Sequence, residues 1–112
     1  MNIQQTAERI YNEQQTARPA AEKFFGSDGI PAIMKASVEE IAAHIQMVQD
    51  VSRQYQVSLD YTKFEFGCSR DTVENKAAAK VKANNRRAGA KALIAKYGYE
   101  AACRITGKTL QR

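Results

Sequence analysis

Apolar residues in this chain recur at steps of three and four and never run longer than four in a row, as at Ala92-Leu93-Ile94-Ala95. That period matches one face of a helix, so each helix must bury a stripe against a neighbour. Gly and Pro are few, Trp is absent, and Ala, Gln, Lys, Glu and Arg are plentiful, which is a helix-forming composition. The expected fold is mostly all-α: a small bundle of four or five helices in one domain spanning 1–112. Such a length supports a modest core without staples. No apolar run spans a bilayer, which argues against a membrane partner.

Local signals place the helices. Ile3, Ala7, Ile10, Gln14 and Ala17 share one face, which predicts a first helix over 2–17. Pro19 should kink it or open a new turn, with the face resuming at Ala21 and Phe24. Gly26-Ser27-Asp28-Gly29 and Pro31 read as a loop. Ser37 and Glu40 have capping-box spacing ahead of a helix running to about Tyr55. Its buried stripe is Val38, Ile41, Ala42, Ile45, Val48 and Tyr55. Residues 57–69 are ambiguous, because the aromatics Tyr61, Phe64 and Phe66 suit a short extended segment near 59–66 as well as a helix. Beyond them, Ser69 or Asp71 should cap one long helix running to Tyr97, with Gly89 as its weak point and Gly98 as its stop. A short helix from Tyr99 to Thr106 should end at Gly107.

Charge is the strongest clue to function. Residues 76–112 hold ten basic side chains against one acid, Glu100, a balance of +9 within a chain whose total is +5. The acidic-to-neutral helical part, 1–62, therefore supports basic C-terminal helices over 70–112. So polarised a chain attracts phosphate backbones or an acidic protein surface. Continued as one helix, the last long segment places Lys76, Lys80, Arg87 and Lys91 on one face. Lys82 and Arg86 fall on another side. A seam of Ala77, Val81, Asn84, Ala88, Ala92 and Ala95 runs beside them, thin enough to seat a second helix or a second copy as a homodimer.

The expected function is non-enzymatic nucleic-acid binding, to DNA rather than RNA and to the duplex form. Phosphate contacts are expected from Lys76, Lys80, Arg86, Arg87, Lys91 and Arg104, while Asn84 and Asn85 supply donors for base edges. The alternative is a small inhibitor or adaptor whose basic face docks on an acidic or nucleic-acid-binding protein. Phe66-Gly67-Cys68-Ser69-Arg70-Asp71-Thr72-Val73 resembles the turn and recognition-helix start of helix-turn-helix DNA-binding proteins. That resemblance would set Arg70, Asp71, Glu74 and Asn75 against DNA. It departs at Lys63, where two crossing helices call for a small side chain.

Other chemistry is poorly supported. Ala102 to Thr109 fits a permissive phosphate-loop pattern, but the residues that follow are too few for the helix such a loop requires. His44 is the sole histidine and sits beside a buried stripe, so a structural or surface role is expected. No His/Cys spacing suits a metal, and no cofactor signal is present. Cys68 and Cys103 are far apart in sequence, read as free thiols, and with the lack of a secretory signal they point to the cytoplasm.

Overall fold

The computed structural model describes residues 2–61, 66–85 and 87–111. Among them the chain is helical, as expected: α1 (Ile3–Phe25), α2 (Ala32–Lys35), α3 (Val38–Tyr55), α4 (Arg70–Asn84), α5 (Ala90–Tyr97) and α6 (Tyr99–Thr106). No strand occurs among the described residues. Most of the extended segment considered near 59–66 lies outside them. Two compact units form: Met1–Met47 with Tyr61–Cys68, and Val48–Asp60 with Ser69–Arg112.

In the first unit, α1 begins at a full capping box. The Asn2 Oδ1 accepts from the Gln5 amide at 2.8 Å, and the Asn2 amide donates to Gln5 Oε1 at 3.3 Å. The helix continues through Pro19 to Phe25, eight residues past the expected end. Side chains on either side of the proline secure it. Gln15 Nε2 and Arg18 Nη1 both donate to the Met34 carbonyl, at 3.2 and 3.4 Å, which ties α1 to α2. Arg18 also pairs with Glu22 at 2.7 Å, one turn later. The apolar face does not resume after the proline as expected, because Phe24 and Phe25 are 81% and 60% exposed. Gly26 ends the helix at a φ of 81°, which a side chain would strain.

The short α2 was not legible in the sequence, but the capping box at Ser37 holds. Glu40 donates its amide to Ser37 Oγ at 3.1 Å, and the Ser37 amide reaches Glu40 Oε1 at 3.4 Å. Ala7 and Ile10 of α1, Ala36, and Ile41 and Ile45 of α3 form the unit's buried core, with Tyr61 and Phe66 packed against it. The aromatic cluster thus closes a core here. Phe64 lies outside the described residues.

The second unit buries Val48, Val51 and Tyr55 of α3, and its α6 packs on both α4 and α5. Both α4 and α6 bury a pair of alanines, Ala77–Ala78 and Ala101–Ala102. Such small side chains let helix axes approach closely. The expected long helix is broken. At Asn85 the backbone leaves helical geometry (φ −131°, ψ 42°), its amide turns back to the Lys82 carbonyl, and its side chain donates to the Val81 carbonyl at 2.9 Å. An asparagine that satisfies the last carbonyls in this way ends a helix. Gly89, in extended geometry, starts the next. The predicted seam therefore does not exist as one stripe. Ala77 and Val81 are buried within their own unit, while Ala88, Ala92 and Ala95 are exposed on other segments.

A polar cluster joins these helices. Arg104 of α6 donates to Asp71 Oδ1 at 2.8 Å and to Asn75 Oδ1 at 2.7 Å, and lies 3.7 Å from Glu74 Oε2. Glu74 Oε1 in turn accepts from the Tyr55 hydroxyl at 3.4 Å. Burial first, and then Glu74, pushes the Tyr55 hydroxyl from 10.0 up to about 12.

Two outcomes follow from this cluster. Arg104→Ala should cost about 1–2 kcal/mol, between the exposed and buried limits for ion pairs, because it removes the partner that Asp71, Asn75 and Glu74 share and leaves Glu74, among the described residues, ion-paired only with Arg70 at 3.8 Å. Equilibrium urea unfolding measures that loss, and Arg104→Lys should restore only part of it, having lost the fork that spans Asp71 and Asn75. Tyr55 gives a pH signature. Its folded value lies above the unfolded one, so its contribution is complete below pH 10 and is lost as pH rises towards 12. Urea midpoints measured across that window should fall less steeply for Tyr55→Phe than for the parent chain.

Candidate nucleic-acid interface

Of the residues expected to meet phosphates, the structure takes one out of service. Arg104 is held by Asp71, Asn75 and Glu74, with its side chain 28% exposed. The same contacts bear on the helix-turn-helix resemblance. Asp71, Glu74 and Asn75 face Arg104, and Arg70 donates to Gln54 Oε1 at 3.4 Å. Ser69, read there as a cap, is one: its Oγ accepts from the Thr72 amide at 3.2 Å. The residues that would read DNA in such a motif are instead contacts within the fold. The first helix of such a motif would end just before the turn at Gly67, where residues 62–65, Lys63 among them, lie outside the described residues.

The other expected residues divide by position. On α4, the buried face is Val73, Ala77, Ala78 and Val81. Lys76 and Lys80 lie on the exposed side. Lys80 Nζ donates to the Ser58 carbonyl at 2.8 Å, and Lys76 also interacts with a neighbouring group. Asn84 is exposed at the helix end, while Asn85 is half-buried with one amide hydrogen committed to Val81. Arg87 is exposed in the turn and Lys91 is exposed in the first turn of α5. Arg86 lies outside the described residues. Because α4 and α5 are separate helices, Lys76, Lys80, Arg87 and Lys91 do not form one continuous helical face.

Two cations that were not among the expected contacts sit in the same region. Lys82 and Lys108 are both exposed and both line a hollow walled by α4, the turn after it, α5, α6 and the C-terminal segment. Lys108 is brought there by a return of the chain after Gly107, whose φ of 71° completes the end of α6. The Tyr99 hydroxyl then donates to the Leu110 carbonyl at 2.7 Å, and the Leu110 amide donates to Cys103 Sγ at 3.5 Å. No sequence pattern announces that return. The hollow measures about 690 Å³; Leu93, Ile105 and Leu110 make its apolar part, and Ala79 and Ala83 its α4 wall. Among the described residues, no carboxylate forms an ion pair with Lys82, Arg87, Lys91 or Lys108.

The first unit has a hollow of a different kind, about 660 Å³, lined by residues that include Ile33, Ile41, His44, Tyr61 and Phe66. Burial lowers the His44 pKa below its usual 6.5, against a hydrogen bond to the Tyr61 backbone that raises it. The ring packs at 5.5 Å from Phe66. Among the described residues no group of three or more His, Cys, Asp or Glu side chains is placed to hold a metal ion, and no helix is long and apolar enough to cross a membrane. Cys68 and Cys103 are both free thiols. No protein-family model, curated protein or solved structure matches this chain significantly.

Proposed function

We propose that this protein is a non-enzymatic nucleic-acid-binding protein whose contact surface lies on its second unit, with duplex DNA as the leading ligand. The observation that carries this reading is a set of four cations, Lys82, Arg87, Lys91 and Lys108, all exposed and without an acidic partner among the described residues, of which Lys82 and Lys108 line one hollow. Ordinary solvated faces mix charge signs; here the only acid after Glu74 is Glu100. Lys91 sharpens the point. A cation in the first turn of a helix adds to the positive helix end and is unfavourable by itself, whereas an arriving phosphate reverses that term. Duplex DNA leads because it carries one charge per roughly 1.7 Å of axis, so several cations can each neutralise a phosphate at once. The bound form would keep Arg104 in its internal cluster and use Lys82, Arg87, Lys91 and Lys108 as phosphate contacts. Lys76 and Lys80 lie on the adjoining side of α4.

Binding of a labelled duplex, followed by fluorescence anisotropy at low salt, tests the placement. Lys82→Glu combined with Lys91→Glu should weaken binding by at least about tenfold, or ~1.4 kcal/mol. Lys23→Glu combined with Lys35→Glu, two exposed cations of the first unit, serves as the charge-matched control and should change little. Equal losses from both sets of substitutions would mean that net charge alone, rather than this surface, drives binding.

A further inference from the structure

Two of these cations flank something that phosphate contacts alone do not require. Lys82 and Lys108 stand in the wall of an apolar hollow, and Ala88 and Ala90, which also line it, are the sequence neighbours of Arg87 and Lys91. A surface that only tracks a backbone needs charge, not a hollow lined by apolar side chains such as Ala88 and the half-buried Leu110. One polar side chain there has bonding capacity to spare. Asn85 commits one amide hydrogen to the Val81 carbonyl at 2.9 Å, which leaves its second N–H and its carbonyl oxygen. An amide in that condition can pair with a base edge as donor and acceptor together.

Resting on the nucleic-acid reading above, we infer that this hollow holds one unpaired nucleotide: its phosphates lie on Lys82 and Lys108, its base lies against Ala88 and Leu110, and Asn85 meets the base edge. Charge complementarity selects the occupant, because the rim is cationic and the interior apolar, as an anion with a flat apolar body demands. Size is permissive, since about 690 Å³ exceeds what a single base fills. A base within a stacked duplex cannot enter, because only its edges reach the grooves. An extruded or bulged one can, at an unstacking cost that is least where the base has no partner. The preferred ligand is then duplex carrying an unpaired base.

Three labelled duplexes test this: one fully paired, one with a single bulged thymidine, and one with the same bulge made abasic. The bulged thymidine should bind about tenfold more tightly than either of the others. Ala83→Phe should fill the hollow and abolish that preference while leaving affinity for the paired duplex unchanged. Ala90→Phe does the same from α5, and both positions are exposed, so neither substitution disturbs the core. Equal affinity for all three duplexes overturns the inference and leaves the phosphate surface standing. No binding of any duplex at low salt overturns both. An acidic amphipathic peptide, run as a fourth probe, would replace the nucleotide as occupant if it alone bound and Ala83→Phe blocked it.

Discussion

Arg104 is the side chain on which the basic unit depends. Its guanidinium reaches from α6 to Asp71, Asn75 and Glu74 in the first turns of α4, and Glu74 carries the connection on to the buried hydroxyl of Tyr55. A planar fork holds several donors in fixed directions at once, a geometry that the point charge of a lysine lacks. The consequence is electrostatic as well as structural. The two acids of α4 are gathered at its N-terminal end, where the helix dipole also favours them. The far end of α4, the turn and α5 are left with cations alone.

Much of this was legible in the sequence, and the failures have identifiable causes. The bounds of α3 and α6 follow from their caps and apolar spacing, at Ser37–Glu40 and at Gly98 and Gly107. Pro19 misled, because Gln15 and Arg18 secure that stretch of α1 through the Met34 carbonyl, a contact between segments that no local pattern reveals. Asn84-Asn85 was read as a pair of donors for a ligand, yet Asn85 also ends α4 by bonding its own backbone. That choice separates α4 from α5 and dissolves the seam on which a homodimer was expected.

The candidate site was legible in sign but not in shape. One-sided charge over 76–112 identifies the basic region without structure, since it is a sum over composition. Which cations cluster is a matter of tertiary geometry. Arg104 was expected outside and is held within, whereas Lys108 gains its place only because Tyr99 and Cys103 fold the C-terminal segment back on α6. The hollow likewise combines five segments, and its small wall residues, Ala79 and Ala83, read in sequence as nothing more than good helix formers.

The most direct measurement is the salt dependence of duplex DNA binding, by anisotropy across a salt series. Four cations engaged with phosphates predict that log affinity falls against log salt with a slope of about −3 to −4. A slope near zero, or no binding even at the lowest salt, would contradict a phosphate-binding surface on this unit.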